Sequence, residues 1–249
     1  MEFTPGWFET VIPALALFFG SLVFSATGFG IGMIATPIML IAYEPQTVIV
    51  VSGTVGLGVG VWIISKSWRD IPFSQILPIA IAAVCGVPFA VAILKTADSG
   101  VLSIGIAVLI VLFAIGSFVK FEKDIPYSKP VGIVVGFVVG VLLPTSGVAG
   151  SLVMLYLMTK NWERRTVRAA MAFFLVTLML SAVIGFAVAG LYTPPRLTLI
   201  GIVTVPSIAG LALGAMLVGR INERMFQYIV IGVIIVSSIV VLSQEIAGL

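Results

Sequence analysis

Long apolar segments, separated by short clusters of charged residues, run along the whole chain. A helix needs about 20 apolar residues to cross a bilayer, and six of the segments have that length. Two further segments are longer, and the whole pattern predicts an all-α polytopic membrane protein. The predicted single spans are residues 47–65, 74–94, 101–119, 169–191, 197–219 and 226–243, and the longer runs are residues 7–43 and 131–159.

The two longer runs are predicted to be broken or re-entrant helical hairpins. Short loops rich in Lys and Arg lie on the cytoplasmic side, and such loops precede and follow residues 131–159. Both ends of that run are therefore expected on one side, with a tip near Thr145 and Ser146. By analogy, residues 7–43 form a hairpin with both ends outside, which places the N-terminus outside the cell.

A shift of 119 residues superimposes the two halves of the chain. It places Thr27 on Ser146 and Glu44 on Glu163. Each half becomes a hairpin followed by three spans, residues 1–119 and 131–249, joined by a cytoplasmic linker at 120–130. Because three crossings is an odd number, the second half is predicted to be inverted. Inverted repeats with interrupted helices are typical of secondary transporters.

Composition narrows the class of protein further. Hydrophobic residues make up 60% of the chain and charged residues 9%, against about 25% charged in soluble proteins. The net charge of +3 comes from short loops, so it indicates orientation and no nucleic-acid partner. The single cysteine excludes an internal disulfide, and the absence of histidine removes the commonest metal ligand and proton shuttle. We therefore predict no enzyme, no cofactor and no metal, and leave the oligomeric state open.

The candidate binding site lies in the glycine-rich part of each long run. Glycine and proline break a helix, and lipid cannot satisfy a broken backbone, so protein or a water-filled cavity must surround it. A helix that restarts after Thr27 or Ser146 would point its positive N-terminus at the place where the hairpins meet, which favours a small anion. No Lys or Arg is expected within a span, so dipoles and hydroxyls would bind the anion. The predicted binding residues are Ser25, Thr27, Gly28, Gly30, Gly32, Thr145, Ser146, Gly147, Gly150 and Ser151.

Structural interpretations compete with these assignments. Small residues often serve close helix packing, and Ser or Thr often bonds to its own helix. Thr27 and Ser146 are the preferred hydroxyls, and Thr36 is a weaker choice. Glu44 and Glu163 are candidates for gates or coupling sites, although acids at helix N-termini also stabilise the helix. The basic residues Arg164, Arg165 and Arg168 set the orientation or, alternatively, concentrate anions at the cytoplasmic side.

Two motifs carry a resemblance to a known family. The first is Gly28-Phe29-Gly30-Ile31-Gly32 with Pro37, and the second is residues 145–151 followed by Tyr156-Leu157. In these motifs and in segment order the chain resembles the TauE/SafE family of sulfite exporters. The resemblance implies transport of sulfite, organosulfonates or related anions across the plasma membrane. An anion channel and a non-transporting membrane assembly protein are the alternatives.

Overall fold

The computed structural model describes residues 6–27, 30–116, 128–160 and 162–217, and these residues are almost entirely helical. A short 3-10 turn, Trp68–Asp70, follows the third helix. The α-helices of the described residues are α1 Trp7–Thr27, α2 Ile31–Met39, α3 Pro45–Ser67, α4 Phe73–Thr96, α5 Ser99–Gly116, α6 Ser128–Ser146, α7 Gly150–Met158, α8 Arg164–Val188 and α9 Pro194–Leu217.

Helix length and apolar composition confirm the prediction of an all-α polytopic membrane protein. Four of the described helices are long and apolar enough to cross a bilayer, namely α3, α4, α8 and α9. Large apolar side chains are exposed on their outer faces, among them Ile81, Phe89 and Ile184, as contact with lipid requires. The predicted span 226–243 and most of the predicted linker lie outside the described residues.

The span predicted to start at residue 169 belongs to a longer helix. Helix α8 begins at Arg164, so Arg165 and Arg168 belong to its first turns. Charged residues end an apolar run without ending a helix, because Arg is a good helix former and the backbone bonds continue through it. The expectation that no Lys or Arg lies in a span stays a prediction, although the candidate span of α8 includes Arg168 near its start.

Contacts between loops show which helix ends lie together. The Tyr43 hydroxyl donates to the Glu9 carbonyl at 2.8 Å, so the start of α1 lies beside the residues that follow α2. Arg196, at the start of α9, lies 3.5 Å from Glu44, just before α3. We call this side of the bundle the Glu44 end. At the opposite end of α3, Arg165 pairs with Asp70 at 2.6 Å, and we call that side the Asp70 end.

The two interrupted helix pairs approach from opposite sides. The pair α1 and α2 has its open ends at the Glu44 end, where α3 begins. The pair α6 and α7 leads directly into α8, which begins at the Asp70 end. Helices α2 and α7, Ile31–Met39 and Gly150–Met158, have the same length and are 119 residues apart. The assignment of the halves as inverted repeats is still a prediction.

Glycines allow the most extensive helix contacts, α1 with α9 and α4 with α6. A Cβ added to Gly210 would lie 2.1 Å from the Phe18 carbonyl oxygen, and one added to Gly140 would lie 2.0 Å from that of Ala83. Backbones that approach this closely gain van der Waals contact, which is the main force between helices in lipid.

We predict that Gly210→Ala lowers stability, because α1 and α9 must separate to admit the new methyl group. The expected loss is about 1–3 kcal/mol, typical of overpacking. The matched control is Gly201→Ala in the same helix, where a Cβ meets no atom within 4 Å and alanine favours the helix. Thermal unfolding of the purified protein in mild detergent measures both. Equal unfolding temperatures for the two variants would contradict this packing.

Candidate functional site

Both helix interruptions contain a glycine in the left-handed region of backbone space. Gly30 has φ of 105° directly before α2, and Gly147 has φ of 75° directly after α6. Residues with a Cβ disfavour this conformation, whereas glycine adopts it freely. Gly147 thus ends α6, and Gly30 directs the chain into α2. Helix α7 then begins at Gly150.

The two interruptions touch each other through their backbones. A Cβ added to Gly32 would lie 1.7 Å from the carbonyl oxygen of Gly147. A Cβ added to Gly147 would lie 2.5 Å from the Thr36 hydroxyl oxygen. The structure therefore brings Gly32 and Thr36 of the first half beside Gly147 of the second.

A cavity of about 70 Å³ lies at this contact. One water molecule needs about 10–15 Å³ on this measure, so several water molecules or one compact anion fit. Most of its walls are apolar, and no charged side chain lines it among the described residues. The lining residues are Phe24, Gly30, Ile31, Gly32, Met33, Ile49, Ser52, Gly53, Gly56, Leu143, Pro144, Gly147, Val148, Gly150, Ser151, Leu175, Met179 and Phe186.

The N-termini of both short helices face this cavity. The first turn of α2 contributes Ile31 and Gly32 to the wall, and the first turn of α7 contributes Gly150 and Ser151. The first N–H groups of a helix have no partner within it, and the helix dipole adds positive potential there. Two such termini make the cavity attractive to negative charge although it contains no cation.

Hydroxyl groups at the site divide into satisfied and unsatisfied ones. The Thr145 hydroxyl donates to the carbonyl of Val141 at 2.9 Å, and the Ser146 hydroxyl donates to that of Leu142 at 2.7 Å. The hydroxyl oxygens of Thr36 and Ser151 are shielded from solvent and have no hydrogen-bond partner among the described residues. Of these residues, only Ser151 belongs to the cavity wall.

The helix predicted to restart after Thr27 starts further along the chain. Thr27 ends α1, and the N-cap of α2 is Gly30, with no side-chain cap bond. The side chain of Thr27 and the whole of Gly28 lie outside the described part of the chain. Helix α7 likewise starts after Ala149, not directly after Ser146. Sequence patterns locate such interruptions to within a few residues, because only the local φ angle decides which glycine turns the chain.

Ser25 lies beside the cavity but outside its lining. Its side chain is buried against α9, where a Cβ added to Gly214 would lie 2.8 Å from the Ser25 Cβ. Its carbonyl accepts a hydrogen bond from the Arg168 guanidinium. Ser25, like Thr145 and Ser146, is thus absent from the cavity wall, which contains the predicted residues Gly30, Gly32, Gly147, Gly150 and Ser151.

The two acidic candidates occupy equivalent positions. Glu44 and Glu163 are the N-caps of α3 and α8, with nearly the same backbone angles. The Glu44 carboxylate is 57% exposed and lies 3.5 Å from Arg196. Nearby, burial raises the pKa of Tyr192 above its usual value, and its hydroxyl lies 2.7 Å from that of Thr54. Both glutamates lie at helix ends, away from the cavity.

Sequence reasoning missed the walls that the long helices contribute. Helix α3 supplies Ser52, Gly53 and Gly56, whereas α8 supplies Leu175 and Met179. The close spacing of small residues in α3 was a usable signal, because such residues leave room on one helix face. The apolar residues of α8 carried no signal, since apolar side chains cover every face of a membrane helix.

These features define a class: an α-helical membrane protein whose interrupted helices meet at an internal cavity, as in secondary transporters. A family model described as sulfite exporter TauE/SafE matches residues 13–241. The chain belongs to this family of membrane transporters, and the resemblance inferred from the glycine motifs is confirmed. Comparisons with curated proteins and with solved structures found no match.

The left-handed glycines allow a controlled test of the contact. Gly190 has φ of 74° with no atom within 4 Å of an added Cβ, whereas Gly147 has φ of 75° and faces Thr36. We predict that Gly190→Ala costs about 1–2 kcal/mol, the backbone penalty alone, and that Gly147→Ala costs more. Adding Thr36→Ala to Gly147→Ala should recover part of the difference. Thermal unfolding of the four proteins measures these effects, and equal losses at the two glycines would contradict the contact.

Proposed function

We propose that this chain is a secondary transporter that moves a small sulfur-containing anion, such as sulfite or an organosulfonate, across the plasma membrane. The backbone contact between Gly32 and Gly147 carries the proposal, because it directs two helix N-termini into one cavity. Family membership supports the substrate class. In this proposal the anion binds at the cavity, and each half of the chain contributes one helix terminus.

The chemistry of the cavity suits such a ligand. A sulfite or sulfonate group presents three oxygens, and backbone N–H groups at the starts of α2 and α7 are donors for them. The Ser151 hydroxyl is one further donor whose oxygen is otherwise unpartnered. Neutral donors and dipoles hold an anion less tightly than a lysine or arginine would, and release is part of every transport cycle.

We further propose that the two halves are inverted repeats that rock against each other. Three observations support this: the 119-residue spacing of α2 and α7, the opposite ends from which the interrupted pairs enter, and the packing of α1 with α9 and α6 with α4. The 119-residue shift relates α1 to α6 and α4 to α9, so it converts one packed pair into the other. Alternating access around a fixed midplane site is the common behaviour of such folds.

Loop charge supports an orientation. The Asp70 end carries the basic loops around residues 66–70 and 160–168, so we assign it to the cytoplasm. The Glu44 end and the N-terminus then face outward. Among the described residues no acid lines the cavity, which favours facilitated movement of the anion, or movement of its protonated form. Glu44 and Glu163 are the remaining proposals for gating or coupling.

The test is uptake of labelled sulfite and of methanesulfonate, separately, into liposomes that contain the purified protein. We expect saturable uptake by the wild type and at least about a tenfold loss in Gly32→Ala. The added methyl group would displace the start of α2 from the cavity, and a loss of about 1.4 kcal/mol in binding free energy corresponds to a factor of ten. The control is Gly58→Ala, where a Cβ meets no atom within 4 Å. Folded wild-type protein without saturable uptake of either anion would contradict the substrate class. Unsaturable flux far above carrier turnover would indicate a channel.

A further inference from the structure

Arg168 is a cation in the first turns of α8, a helix long and apolar enough to cross a bilayer, and it has an incomplete set of partners. Its Nη2 donates to the carbonyl of Ser25, near the end of α1. Its Nε is buried and has no hydrogen-bond partner among the described residues. No acidic group of the described chain pairs with it. A half-buried charge without a counter-ion is costly in a membrane, and such residues commonly mark a path for ions or substrates.

The position of Arg168 on α8 relates it to the cavity. Leu175 and Met179 of the same helix line the cavity. Arg168 precedes Leu175 by seven residues, which is two helical turns, so both lie on one face about 10 Å apart along the axis. Because α8 begins at the Asp70 end, Arg168 stands between that end and the cavity.

We propose that Arg168 is a second anion-binding site, which captures the transported sulfur oxyanion between the Asp70 end and the cavity. This inference rests on the proposed function and adds a residue to it. The Ser25 carbonyl fixes one corner of the guanidinium, and the buried Nε–H is left as a donor. Guanidinium binds planar pairs of oxygen atoms with two hydrogen bonds, and the sulfite and sulfonate groups offer such pairs.

A structural role as a helix cap explains part of the geometry. Ser25 lies in the last turn of α1, where carbonyls have no intrahelical partner and positive charge is favourable. Capping accounts for the bond from Nη2. It does not account for a buried Nε–H without an acceptor, which costs free energy until an acceptor is bound. The two roles predict different kinetics, so they can be separated.

The experiment measures the KM for labelled sulfite in liposomes, together with the thermal unfolding temperature, for Arg168→Gln, Arg168→Lys and Arg165→Gln. Arg165 is the matched control, since it carries the same charge on the same helix, is 74% exposed and pairs with Asp70. We expect Arg168→Gln to raise KM at least about tenfold, the usual effect of losing a charged hydrogen bond. Arg168→Lys keeps the positive charge but loses the paired N–H donors of the guanidinium, so its KM should rise by less than that of Arg168→Gln. Arg165→Gln should raise KM by much less than Arg168→Gln does, since Arg165 is exposed and paired with Asp70.

Each other outcome has a defined meaning. An unchanged KM in Arg168→Gln, with a lowered unfolding temperature, would assign Arg168 to capping and overturn the inference. If Arg168→Gln does not fold, Arg168→Lys decides, and a wild-type KM in that variant overturns the inference. Uptake that Gly32→Ala abolishes but Arg168 variants leave unchanged would reject this site and keep the proposed function. Wild-type protein without saturable sulfite uptake would reject both.

Discussion

The rest of the structure depends on one constraint, that a broken helix must find its hydrogen-bonding partners away from lipid. Both interruptions, at Gly30 and Gly147, meet this constraint by lying in the interior against each other. Because lipid offers no donors or acceptors, a lone interruption on the outer surface would leave backbone groups unsatisfied. Contact between Gly32 and Gly147 therefore fixes the depth of both short helices and the position of the cavity between them.

Polar side chains likewise lie where water or the protein can satisfy their hydrogen bonds. The ion pairs Asp70–Arg165 and Glu44–Arg196 lie at opposite ends of the bundle, where water can reach them. Within the spans, most hydroxyls bond to their own helix, as Thr145 does. Arg168 departs from this pattern, because it is charged, partly buried and only partly satisfied. A transporter of anions has a use for such a group, since an unsatisfied donor binds an acceptor more strongly where it is shielded from water.

Sequence reasoning reached the class, the family and the approximate places of the interruptions. It succeeded there because a helix that crosses a membrane is one continuous run of about 20 apolar residues, so such runs mark the helices directly in the sequence. It failed at details that depend on neighbours. The hydroxyl of Ser146 bonds to its own helix, whereas Ser151 lines the cavity and its hydroxyl has no partner among the described residues. Nothing in the order of residues distinguishes these two serines, because the rotation of each helix determines where they point.

The sequence by itself determined that this is a helical membrane protein with two glycine-broken stretches. Glycine's freedom at positive φ and the cost of exposing backbone to lipid are properties of single residues and local segments. Only the tertiary structure decided that Gly32 touches Gly147, that α3 and α8 wall the cavity, and that Arg168 reaches Ser25. These contacts join residues more than 100 positions apart, and they depend on how helices pack, which local sequence does not fix.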